Sequence, residues 1–191
     1  MNNLLNEIKG CKICKDQLVL GPRPVLNAHE KSKVLIIGQA PGTKVHKSGI
    51  PWDDQSGKRL RIWLGVDDID FYDPTKFGIV PMGFCYPGKG KSGDLPPRKE
   101  CAPQWHSQLF EKMQGVELML LIGRYAQMYY LEKTVKKNLT ETVWNYAEYL
   151  PKYFCMPHPS PRNGIWLKKH SWFEREIVPT LQDRIQTIFK D

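Results

Sequence analysis

The chain has 191 residues, with 28 Lys and Arg against 20 Asp and Glu and a net charge of +8 at neutral pH. Its 41% hydrophobic and 11% aromatic content excludes a disordered polar chain and is enough to bury a sizeable core within one domain. No apolar run approaches the ~20 residues of a membrane span, and the basic excess favours a polyanionic partner, nucleic acid ahead of membrane.

The amino-terminal MNNLLNEIKG lacks the basic start and apolar core of a secretory signal, so a cytoplasmic location is expected. In that reducing compartment the cysteines Cys11, Cys14, Cys85, Cys101 and Cys155 call for a reason other than a disulfide framework. VLIIG (34–38) predicts the first buried strand. It runs into Gly38-Gln39-Ala40-Pro41-Gly42, a loop whose glycines allow close backbone approach to a ligand. GIPWDDQSG follows, with Trp52, Asp53 and Asp54 ahead of a helix expected over SGKRLRIWLGV (56–66) behind a serine cap.

FGIVPMGF (77–84) predicts a second strand, leading to GFCYPG. PRKECAPQWHSQLFEKMQG (97–115) predicts a helix closed by glycine. VELMLLIG (116–123) reads as a third strand, RYAQMYYLEKTVKK (124–137) as a helix and YFCM (153–156) as a fourth strand. PHPSPRN (157–163) holds His158 between two prolines, which stiffen the backbone on both sides of it. The carboxy-terminal segment carries apolar residues at helical spacing with a break at Pro179.

Near-continuous apolar strands alternating with helices predict an α/β fold over residues 1–191. The expected form is a three-layer α/β/α sandwich with a central four-stranded parallel sheet. The loops at 38–42, 83–88 and 157–163 all follow strands, and open α/β sheets build their sites at the carboxyl ends of strands.

GQAPG, GIPWDDQSG and HPSPRN together resemble the uracil-DNA glycosylase superfamily. Most similar are the bacterial and archaeal family-four enzymes, whose motifs read roughly GEAPG, GxPFxGxAG and HPS or HPA. CKIC at 11–14, and the fifteen residues separating Cys85 from Cys101 in CYPGKGKSGDLPPRKECAP, match that family's cysteine pattern in the same order along nearly the whole chain.

The resemblance implies a monomeric enzyme that hydrolyses the N-glycosidic bond of uracil or a related deaminated base in DNA, single- or double-stranded, after flipping the base out. His158 would stabilise the leaving base, and Asp53 or Asp54 would support the sugar cation and water. Gly38, Gln39, Ala40, Pro41, Gly42, Trp52, Met82, Ser160 and Asn163 would bind the base. Pro159, Pro161, Arg162, Lys168 and Lys169 would meet the DNA, with Arg162 as wedge or phosphate contact and Lys58, Arg59 and Arg61 as further phosphate contacts.

Cys11, Cys14, Cys85 and Cys101 would hold a four-iron four-sulfur cluster; a Cys₄ zinc site, or no metal, are the alternatives. Cys155, within the last strand, reads as a small buried hydrophobe. The chain also departs from the pattern. Gln39 stands where family four has glutamate, VPMGFC lacks the family asparagine, and Val45 and His46 occupy positions that tend to be acidic. Asp53 and Asp54 are therefore the expected replacements, with helix capping as their other use. A non-catalytic member that binds damaged or single-stranded DNA is the second reading, and a hydrolase of free nucleosides or nucleotides the third.

Overall fold

The computed structural model describes residues 1–190. Its strands are β1 (Val34–Ile37), β2 (Phe77–Ile79), the short β3 (Lys89–Gly90) and β4 (Gly93–Asp94), β5 (Leu118–Ile122) and β6 (Tyr153–Met156). β2, β1, β5 and β6 hydrogen-bond in that order into one all-parallel sheet, with Val34 beside Phe77 and Leu118, and Leu121 beside Cys155. β3 and β4 pair antiparallel as a separate hairpin.

The helices are α1 (Asn2–Lys9), α2 (Thr43–Ser48), α3 (Gln55–Leu64), α4 (Asp68–Tyr72), α5 (Ser107–Lys112), α6 (Arg124–Leu131), α7 (Leu139–Trp144), α8 (Gly164–Lys169) and α9 (Val178–Lys190).

Strand alternation separates two cores. Val34 and Ile36 point to one face, where Leu60 and Trp63 of α3, Phe71 of α4 and Leu181 and Ile185 of α9 cover them. Leu35 and Ile37 point to the other, against Ile8 of α1, Leu109 of α5 and Ala126 of α6. Both faces of every central strand are thus buried, which is why these strands read as unbroken apolar runs. The three-layer sandwich and the four-stranded parallel sheet are as expected from the sequence.

Several elements differ in detail. The second strand stops at Ile79 instead of 84: Pro81 has no N–H for a ladder, and Asn27 exchanges backbone hydrogen bonds with Ile79 at the sheet's edge. The helix expected over 97–115 begins as a wide π-turn at Ala102–His106 and becomes regular only in α5. The cap of α3 is Asp54, whose carboxylate accepts from the Gly57 N–H at 2.8 Å, while Ser56 lies inside the helix. Pro179 does not break the carboxy-terminal helix. It occupies the first turn of α9, directly after a π-turn at Phe173–Ile177, where a missing N–H and a fixed φ cost little. α1, α2, α4, α7 and the β3–β4 hairpin lie outside the elements predicted from the sequence.

Candidate active site

The chain leaves β1 for β2 on one side and reaches β5 on the other, so the strand order reverses beside β1. At the carboxyl ends of these strands opens a cleft of about 650 Å³, enough for a nucleotide. All of Gly38-Gln39-Ala40-Pro41-Gly42 line it, with Trp52, Asp54, His158, Ser160, Arg162 and Asn163.

Gly38 has a specific steric reason. A Cβ there would sit 2.7 Å from the indole of Trp52, so only glycine lets the ring lie over the end of β1. Trp52 itself has φ 57, a left-handed backbone that an ordinary side chain adopts at a cost of about 1–3 kcal/mol. Its ring packs against His158, with centroids 5.4 Å apart and planes tilted by 34°.

His158 is held by its own loop. The Ser160 N–H donates to its Nδ1 at 3.2 Å, so the ring proton of the neutral imidazole resides on Nε2. Asn163 donates through Nδ2 to the His158 carbonyl at 2.7 Å, and Arg59 of α3 donates to the carbonyls of Pro159 and Ser160 at 3.4 and 3.3 Å. Burial pushes the His158 pKa down to about 4, and the charge of nearby Asp54 opposes that shift only in part. The site therefore presents a neutral imidazole with one fixed N–H donor.

Gly123, Arg124 and Tyr125, at the exit of β5, also line the cleft and were missed. Gly123 has φ 83, and a Cβ there would touch Cβ of His158, so GRY after a strand was the available signal. Fully buried Gln127 donates to the carbonyls of Leu121 and Met156 at 3.3 and 2.9 Å, joining the ends of β5 and β6.

Other expected residues lie elsewhere. Met82 packs into the core beside Phe84, and Pro81 faces the cleft in its place. Asp53 is exposed and outside the cleft lining. Arg61 pairs with Asp68 at 2.6 Å and lies over the rings of Phe71 and Tyr72, a structural use. Pro159 is buried, Pro161 is exposed at the rim, and Lys168 and Lys169 are exposed in the last turn of α8. The Arg162 guanidinium reaches across the cleft to the Ser92 carbonyl at 3.4 Å.

A comparison with known protein families matches residues 26–182 to the Uracil DNA glycosylase superfamily. The chain belongs to that superfamily. Membership carries DNA-glycosylase-type function as the class of activity and DNA as the class of partner. In this superfamily member, no described helix is long and apolar enough to cross a membrane.

Cys11, Cys14, Cys85 and Cys101 line one small cavity, about 20 Å³, together with Trp105 and Arg98. Burial raises the Cys85 thiol to about 12 and the Cys101 thiol to about 11. Four thiols fit the ligand chemistry of an iron–sulfur cluster, with Arg98 and Glu100 beside Cys14. Among the described residues, no three His, Cys, Asp or Glu side chains are grouped so as to hold a single metal ion. Cys155 is wholly buried in β6, as a small hydrophobe would be.

Proposed function

We propose that this protein is a DNA N-glycosylase that removes uracil or a related deaminated base extruded from DNA. The observation that carries the reading is the neutral, single-tautomer His158 beside Trp52 in the nucleotide-sized cleft. Breaking the bond from C1′ to the base nitrogen moves an electron pair onto the base. The Nε2–H of His158 donates to the base carbonyl as that charge grows, and its position is set before the reaction begins. A preorganised donor of this kind is worth ~10²–10³ in rate.

The extruded base stacks on the Trp52 indole, and stacking of this kind contributes about 1–3 kcal/mol per base without regard to sequence. Asp54, at the cleft wall, offsets positive charge on the sugar while capping α3. A four-iron four-sulfur cluster on Cys11, Cys14, Cys85 and Cys101 would pin the amino-terminal arm to the 85–101 segment. It would play no part in bond breaking. The anaerobically purified protein would then be brown and contain iron and sulfide in equal amounts.

The test uses purified protein with single- and double-stranded oligonucleotides carrying uracil, xanthine or hypoxanthine, followed by alkali to cleave abasic sites. Cleavage at one lesion, lowered ~10²–10³-fold by His158→Ala, is expected. Tight lesion binding without cleavage on any substrate would instead support the non-catalytic DNA-binding reading, which the neutral Gln39 favours.

A further inference from the structure

Gln39 in the first loop is neutral and cannot act as a base, yet hydrolysis leaves a cationic sugar that must capture water. Two carboxylates line the cleft, Asp54 and Asp94. Asp54 accepts the Gly57 N–H and is fixed as a helix cap. Asp94 comes from an unexpected element, the β3–β4 hairpin, whose Ser92 and Gly93 also line the cleft. Its Oδ2 is close enough to the backbone of the 38–42 loop that a Cβ added to Gly42 would lie 3.6 Å from it.

The hairpin is strapped over the cleft from two sides. Arg162, from the His158 loop, donates to the Ser92 carbonyl at 3.4 Å, and Gln39, from the first loop, donates through Nε2 to the Leu95 carbonyl at 3.5 Å. The Gln39 amide thus holds the residue next to an acid. No described ion pair engages Asp94, although Lys44 and Arg162 line the same cleft. Asp94 is exposed in the cleft lining, so its carboxylate is open to a water molecule.

We propose that Asp94 is the catalytic carboxylate of this site, carried on the hairpin and positioned there by Gln39 and Arg162. The proposal rests on the glycosylase reading. The bond from C1′ to the base nitrogen breaks with its electron pair leaving on the base. A water oxygen then bonds to C1′ and its proton passes to the Asp94 carboxylate, which releases it to solvent. The departing base anion takes up a solvent proton, so hydrolysis balances with water as the sole co-reactant.

The experiment measures kcat and KM on a lesion oligonucleotide for the wild type, Asp94→Asn, Asp94→Ala and Asp183→Asn, the last an exposed aspartate of α9 serving as control. Asp94→Asn is expected to lower kcat by about 100-fold or more with little change in KM, the scale of a lost general base. Added formate should restore part of the rate of Asp94→Ala, which a merely structural aspartate would not allow. A wild type that cleaves, with Asp94→Asn within about threefold of it or impaired in KM alone, would overturn the role of Asp94 and leave the glycosylase reading standing. A wild type inert on every lesion would overturn both.

Discussion

At His158 the half-buried ring has lost part of its water, which disfavours the imidazolium and pushes its pKa down to about 4 from an ordinary value of 6.5. The form proposed to act is the neutral one, present above the folded-state pKa. Single-turnover cleavage is therefore expected to hold steady from pH 8 down to about 5 and to fall as the pH approaches about 4. A midpoint near 6.5 would show a solvated histidine and contradict the geometry. Trp52 supports the same conclusion from its backbone, since φ 57 is retained only where surrounding contacts over-determine it. The place of Gly38 and His158 in the cleft was legible in the sequence, because rigid or glycine-rich loops after strands gather at one sheet edge. That of Asp94 was not, because an aspartate in a polar loop looks like any solvated one.

The site depends on how the strand ends are tied to one another. Gln127 of α6 donates to one carbonyl from β5 and one from β6, and the Gly123 N–H donates to the Met156 carbonyl at 2.9 Å, so the β5 and β6 exits move as a unit. Gln127→Leu removes both side-chain bonds, but the Met156 carbonyl keeps the Gly123 N–H, so at most the Leu121 carbonyl loses a partner outright. Urea unfolding is expected to show a loss of ~1–3 kcal/mol, with an unchanged m-value. Arg59 shows why charge alone misled at this scale. Its position on a basic helix face suggested a phosphate contact, but its guanidinium satisfies two carbonyls of the His158 loop. The β3–β4 hairpin is the same lesson in reverse: strands of two residues give no period to detect, and only their docking reveals them.

Across the whole molecule, acid stability follows from two desolvated histidines, one buried and one half-buried. His106, 3% exposed, stacks between Phe84 and Tyr130, and burial lowers its pKa to about 4, as it does for His158. For each, the folded pKa lies below the unfolded value of 6.5, so the folded state binds fewer protons than the unfolded one. Their stability is fully present above pH 6.5, falls as the pH drops toward about 4, and is lost below it. The linkage is worth up to ~3 kcal/mol per histidine. Melting temperature should decline from pH 6.5 to 4, and His158→Gln should flatten that decline without abolishing it, since His106 remains. A pH-independent melting temperature over this window would contradict the burial of both rings.

The sequence by itself determined the layered α/β fold, the three loops at the strand ends and the superfamily resemblance. Those depend on apolar runs, glycine and proline, whose backbone consequences are local. Tertiary structure alone decided which charges reach the cleft. Asp53 and Asp54 are neighbours in sequence, yet one faces solvent while the other caps α3 at the cleft wall. Asp94, forty residues further along the chain, is brought to the same cleft by a hairpin held between Gln39 and Arg162. A carboxylate's role is set by the atoms around it in space, and these come from loops that only the packed sheet brings together.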